Sequence, residues 1–294
     1  MHSDQCLREA ELAFLNAPFL ESGWQLALEQ LSIASRTRTV QLIGVGGPLA
    51  LSLNLMTSPP HDPNGHLGNP LLYGSANWRI NTSAGPLTLE HEPHYRAYRS
   101  DRHTEIYDDA VNDLDLPFGC QSALLLDEGS LVGLALLRSG REGVCQADVL
   151  DTFARLSWQA QRAARVQLAL GREAGEAMLT GPGCGSEATL LLDRFGALVA
   201  LSAGAEALFD HPRGLRLRGL AVELTDPDEQ SILAAALNRL LTGDVLGGPV
   251  LHQGVVGRCA DRPLGRWRLF ATRLPRSLDT LGLAAQLCLT LKPI

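Results

Sequence analysis

The side chains best suited to hold a small molecule are the aromatic residues and histidines gathered between Asn69 and Phe118. Tyr73, Trp78, His91, His94, Tyr95, Tyr98, His103, Tyr107 and Phe118 all fall there, although Phe, Trp and Tyr make up only 5% of the chain. Ring faces wall an apolar cavity, while phenol, indole and imidazole groups orient a polar group of the occupant. Tyr73, Trp78, His91, His94, Tyr95, Tyr98 and Phe118 are therefore the expected ligand contacts, and a small apolar or aromatic molecule is the expected ligand. The competing reading is that these rings fill the core beneath a long loop.

Other chemistry has less to stand on. His91 and His94, flanked by Glu90 and Glu92 and followed by His103, form the one constellation with metal-ligand character. Pro93 lies between the two histidines and disfavours a helix that presents both on one face, unless the helix begins there. A pocket wall or solvated loop also accounts for them, so neither a metal nor a cofactor is expected; a metal-dependent enzyme would rest on this region alone. The glycine clusters at Gly44–Gly47 and Gly181–Gly185 lack the Gly-Lys-Ser/Thr ending of a phosphate loop. No Gly-x-Ser-x-Gly elbow occurs. The expectation is a non-enzymatic protein with no catalytic residue. Cys6, Cys120, Cys145, Cys184, Cys259 and Cys288 are scattered without a CxxC pair, which reads as reduced thiols in a cytoplasm.

At 294 residues the chain exceeds one ordinary core, so two domains are expected. A net charge of -7, with Lys292 the only lysine, offers no broad basic face to a phosphate backbone. The opening residues lack a signal-peptide pattern, and no segment approaches the roughly 20 apolar residues of a membrane span. A cytoplasmic protein without membrane contact is the expectation.

The elements that must position the aromatic stretch are readable from periodicity. Two amphipathic helices are expected over Asp4–Leu15 and Glu21–Ala34, then a hairpin of Val40–Val45 and Leu49–Met56 around Gly46, Gly47 and Pro48. After the loop Ser58–Gly68 and the aromatic stretch, strands at Gln121–Leu126 and Leu131–Arg138 flank a turn. A helix follows from Gln146 to about Leu170, either a signal or dimerisation helix or one packed on its own sheet. Residues 171–187 read as a linker. Beyond it come strands Thr189–Leu192 and Ala197–Leu201, a helix capped by Ser202, and a second helix started by Asp226, Pro227 and Glu229. Three closing strands lie near Pro249–Val256, Arg266–Arg273 and Ala284–Leu291. The fold class is α+β: two antiparallel-sheet domains, 1–170 and 188–294, joined by a long helix and a short linker.

The order of elements in the second half is that of a PAS domain, and the first half suits a GAF domain. Beyond topology, LLLDRFGALVALSAGAEALF, HPRGLRLRGLAVEL and RWRLFATRLP resemble the PAS segment of bacterial LuxR-type helix-turn-helix regulators. FLESGWQLALEQL, HYRAYRSDRHTEIYDDAV and LALLRSGREGVCQADVLDTFARLSWQAQRAARVQ carry the first-half likeness. The resemblance implies a GAF-like then PAS-like sensory region that passes ligand binding through helices to a DNA-binding module or partner. It implies a homodimer, with DNA reached only through a helix-turn-helix module that this sequence lacks. A ligand-free GAF/PAS dimerisation platform is the alternative.

Overall fold

A computed structural model describes residues 2–49, 52–73, 76–81, 83–102, 105–127, 130–180, 188–209, 215–242, 252–253, 267–274 and 281–293. The protein is an α+β chain of two units. One comprises Met1–Gly46 and Ser52–Val166, the other Gly47–Leu51 and Gln167–Ile294.

The first unit opens with α1 (His2–Asn16) and α2 (Gly23–Ser35). Phe14 and Trp24 lock these helices together edge to face, with ring centres 6.2 Å apart and no solvent exposure. Strands β1 (Thr39–Gly46) and β2 (Leu53–Met56) form the expected hairpin. The single turn α3 (Trp78–Asn81), the short strand β3 (Glu90–His91), α4 (Glu92–Arg102) and α5 (Glu105–Asp113) follow. Strands β4 (Phe118–Asp127) and β5 (Ser130–Arg138) complete an antiparallel sheet of order β2-β1-β5-β4-β3. Because side chains alternate along a strand, the register puts Val40, Leu136 and Cys120 in one cross-strand row and Leu42, Leu134 and Ser122 in the next, all buried. The opposite face carries Gln41, Ala135 and Gln121, then Ile43, Gly133 and Ala123.

Helix α6 (Ala147–Thr180) contributes to both units. In the first, Phe153, Leu156 and Ala160 are fully buried, and the Gln161 side-chain amide donates to the Leu124 carbonyl at 3.0 Å. The helix does not stop near Leu170: residues 171–180, read from sequence as linker, are its last turns. From sequence the linker begins at Gly171, yet here Gly171 and, one turn on, Gly175 bring the helix close to its neighbours. A β-carbon on Gly171 would lie 2.9 Å from the Ala284 Cα.

The second unit adds β6 (Ala188–Leu192), β7 (Leu198–Leu201), α7 (Ala203–Phe209), β8 (Leu215–Arg218), β9 (Ala221–Leu224), α8 (Pro227–Thr242), β10 (His252–Gln253), β11 (Trp267–Arg273) and β12 (Leu287–Pro293). Its main sheet has the order β10-β11-β12-β6-β7. The hairpin β8–β9 was not anticipated. The β6–β7 turn is closed by Asp193 Oδ1, which accepts the Phe195 and Ala197 amides at 2.8 Å each, and Gly196 takes φ +79° there. Ser202 Oγ accepts from Thr189 N and Ala205 N, and Asp226 Oδ1 accepts from Asp228 N and Glu229 N, so both expected caps are present. Among the described residues no helix is long and apolar enough to cross a membrane.

Candidate functional site

Described residues of the segment from Leu67 to Leu116, among them Asn77, Arg79 and Tyr107, share a cavity wall with the sheet face that carries Gln41, Ala135 and Gln121. Its geometry begins with Asn77. The Asn77 side-chain amide donates to the Leu72 carbonyl at 2.9 Å, and its oxygen accepts the Ile80 amide at 3.2 Å, capping the one-turn helix α3. That turn delivers two neighbours, Trp78 and Arg79, into the interior; both are at most 5% exposed.

Arg79 is the electrostatic centre of the region. Its guanidinium lies 5.5 Å from the Trp78 ring centre, 4.7 Å from that of Tyr95 and 5.8 Å from that of Tyr107. Trp78 meets Tyr95 and Tyr107 edge to face, each at 5.7 Å. Arg79 donates to the carbonyls of Pro117 at 2.8 Å and Leu116 at 3.5 Å. Burial opposes the charge, but Tyr107, Tyr95, Glu92 and Asp108 outweigh it and hold the guanidinium above its ordinary pKa. Burial likewise raises Tyr95 well above the ordinary phenol value and raises Tyr107. The two phenols are thus neutral, and the group is a caged cation.

Two cavities adjoin this cage. One, of about 30 Å³, is lined by Ile43, Ile80, Ser83, Gln121, Ala123, Leu131 and Gly133. The other, of about 50 Å³, is lined by Met56, Leu67, Leu72, Tyr73, Ala110 and Leu114. Gln41, Asn77, Arg79, Tyr107 and Leu137 line both and so partition them. Each continues into a wider depression, about 420 and 450 Å³ when its solvent-facing space is counted. The floor of the first is made of small residues, Ala123, Gly133 and Ala135, which is what leaves room on a strand face.

Of the residues expected from sequence, Tyr73 lines the second cavity; its hydroxyl donates to the Leu67 carbonyl at 2.6 Å and accepts from Asn54 at 3.0 Å. Trp78 and Tyr95 are buried and interlock around Arg79, with Tyr98 packed against their cluster. His91 and His94 stack edge to face at 5.2 Å, and His94 Nδ1 accepts the His91 amide at 3.3 Å. Burial, followed by the neighbouring His94, lowers the His91 pKa. Helix α4 begins at Glu92 with Pro93 in its first turn, the one arrangement the sequence permitted. Phe118 opens β4, half-buried opposite Arg138. None of Trp78, His91, His94, Tyr95, Tyr98 and Phe118 lines either of these two cavities. His103 lies outside the described residues.

No known protein family matches the sequence, and no curated protein does. Among solved structures, the chain is similar to the N-acylhomoserine lactone dependent LuxR family transcription factor CepR2 from Burkholderia cenocepacia. The identity is 15% and the TM-score 0.41, over 58% of this chain and 98% of that one. The VqsR ligand-binding domain from Pseudomonas aeruginosa gives 16% identity and a TM-score of 0.38, over 55% and 96%. The bacteriophytochrome RpBphP3 from R. palustris gives 12% and 0.34, over 97% of this chain and 63% of that one. No residue role is carried over from any of them.

What sequence reasoning missed is polar. Arg79, Asn77, Gln41 and Gln121 shape the cavities, yet arginine and glutamine are ordinarily surface residues and drew no notice. The available signal was Arg79 next to Trp78 within an aromatic-rich stretch, since guanidinium groups stack on rings. Gln121 is fixed by donating to the Arg79 carbonyl and, at 3.0 Å, to Glu90, whose other oxygen accepts the Ala84 amide at 3.0 Å. Glu90 is only 1% exposed, so this clamp ties α3, β3 and β4 together.

Proposed function

We propose that the first unit is a sensor for a small, largely apolar molecule, and that the protein is a regulator and not an enzyme. The observation that supports this is the pair of cavities divided by Arg79, Tyr107 and Asn77, with apolar walls and a few convergent polar groups. The occupant's apolar body rests on Ala123, Gly133, Ala135 and Leu137, and its polar end meets Gln41, Gln121 or Asn77. Tyr107, which lines both cavities, touches it; Tyr73 lines only the second, and Trp78, Tyr95 and Tyr98 hold the wall in shape. Binding shifts the packing of α6, which runs on into the second unit, and a coupling of about 1 to 3 kcal/mol is enough to bias an output. The output is a DNA-binding module or a partner protein.

The same reading makes the protein a homodimer. Glu11 of α1 pairs with Arg155 of α6, and these adjacent helices expose Leu12, Leu15 and Trp158. Light scattering tests this: a monomer at micromolar concentration contradicts it.

Ligand sensing is tested by thermal shift and calorimetry with small aromatics, fatty acyl compounds and N-acylhomoserine lactones. A ligand at one hundred times its Kd stabilises the protein by about 2.7 kcal/mol. Ala135→Leu, which fills the floor of the first cavity, should abolish that gain. A dimer that ignores every compound would favour the ligand-free platform.

A further inference from the structure

Helix α6 buries one side and leaves the other to solvent. Phe153, Leu156, Ala160, Ala164 and Gln167 are buried, and at about 100° per residue they fall on one side of the helix. Arg162, Val166, Ala169, Glu173 and Ala177 are exposed, and they share the other side within an arc of about 80°. From Arg162 through Val166 and Ala169 to Glu173 the steps are four, three and four residues. That is the repeat by which one helix pairs with another, so these residues form a seam of two apolar positions between two charged ones.

The charges of the seam are not matched inside the chain. Among the described residues no ion pair includes Arg162 or Glu173. Arg162 lies over the Trp158 ring, 4.7 Å from its centre. Glu173 and Glu176 approach the C-terminal end of α6, whose last turn carries no basic residue, although the helix dipole disfavours negative charge there. Arg165 and Arg172 stand to one side, about 80 to 100° from the centre of the seam. Along the seam itself, positive charge precedes Val166 and Ala169, and negative charge follows them.

That order decides what the seam can accept. In a parallel pair of identical helices the same positions meet, so Arg162 would face Arg162 and Glu173 would face Glu173, both repulsive. Reversed, the seam complements itself. A two-fold axis between positions 167 and 168 sets Arg162 against Glu173 of the partner subunit and Val166 against Ala169 of the partner subunit, since each pair is spaced evenly about that point. The axis repeats both pairings, so an ion pair closes each end of an apolar centre. Leu170, exposed on the flank of the seam, adds apolar surface beside Val166.

We propose that two copies of this chain associate through antiparallel α6 helices, in the register that pairs Arg162 with Glu173 of the partner subunit. This arrangement rests on the homodimer reading above, and adds to it the orientation and the residues that set it. With little apolar surface and charged residues at seam positions, the contact specifies orientation more than it supplies affinity. It is separate from the ligand cavities, whose linings include no residue of α6.

The test is the dimer Kd of the full chain, measured by sedimentation equilibrium at low ionic strength for the parent, Arg162→Glu, Glu173→Arg and the two changes combined. Each single change opposes like charges at two symmetric places, and is expected to raise the Kd at least about tenfold. The combined variant re-forms both pairs with their signs exchanged, and is expected to return to within about threefold of the parent. Added salt should shrink these differences. A parallel dimer cannot give this pattern, because each single change would still leave like charges facing and the combination would rescue nothing. Both side chains are exposed, so circular dichroism of all four proteins should show equal helix content, which separates lost association from lost folding. A monomeric parent overturns the homodimer and this arrangement together. A dimer whose Kd ignores the single changes, or is not rescued by their combination, overturns this arrangement alone.

Discussion

The Arg79 guanidinium stands 4.7 Å from the centre of the Tyr95 ring, deep in the first unit and 5% exposed. A cation there persists because rings and carbonyls replace its water. Removing it leaves the Leu116 and Pro117 carbonyls without their donor and a void among three rings. Arg79→Ala is expected to cost about 2 to 4 kcal/mol, read as a lower urea midpoint at unchanged slope. Arg79→Lys should recover only part of that, since an ammonium keeps the charge but not the planar fork.

Gly171→Ala sets two effects against each other. Helix propensity favours alanine by about 1 kcal/mol. The new methyl, however, would lie 2.9 Å from the Ala284 Cα, a backbone atom that cannot turn aside, and such overpacking costs about 1 to 3 kcal/mol. Net destabilisation is expected. At Gly175 the nearest atoms are side-chain ones, Val199 Cγ1 at 3.2 Å and Ala200 Cβ at 3.4 Å, so Gly175→Ala should be close to neutral. Thermal melts of the two variants side by side check the contrast.

Both features bear on how far a sequence can be read. The short apolar runs Val40–Val45 and Leu131–Arg138, and the Asp226-Pro227 start of α8, are local patterns that packing reinforced, so the strands and helices were legible. Gly171 misled because the same residue that breaks a solvated helix permits close approach in a packed one. The β8–β9 hairpin escaped, although Leu215–Arg218 alternates apolar and charged residues, because each of its strands is only four residues long. At the site, ring residues were found by composition, but their partner Arg79 is known only from three-dimensional proximity.

Glu142 ties stability to pH. Burial would raise its pKa from the ordinary 4.5, but hydrogen bonds from the Arg38 and Ser139 amides and the Ser139 hydroxyl, with Arg138 nearby, bring it lower. A carboxyl with a folded pKa below its unfolded one stabilises the fold above the unfolded value, and that contribution fades as pH falls through the folded value. Glu142→Gln should therefore cost about 1 to 2 kcal/mol at neutral pH. The gap between the two proteins' melting temperatures should narrow as the pH falls below the ordinary 4.5. A gap that does not narrow on acidification would mean that shape, not charge, accounts for the loss.

Gly133→Ala separates binding from folding. Gly133 faces the first cavity between Ala123 and Ile43, and the atoms nearest an added β-carbon would be side-chain ones, Leu131 Cδ2 at 3.1 Å and Ile43 Cγ2 at 3.5 Å, with the Ser122 carbonyl oxygen at an ordinary 3.8 Å. Replacing a strand glycine should gain about 0.5 to 1 kcal/mol, less what Leu131 loses by moving. The variant is expected to melt at or slightly above the parent temperature while its ligand-induced shift shrinks, because the methyl occupies the space the ligand needs. Melting with and without the best compound of the panel measures both quantities at once. An undiminished shift would place the ligand elsewhere, and a large loss of stability without ligand would show that Leu131 cannot move.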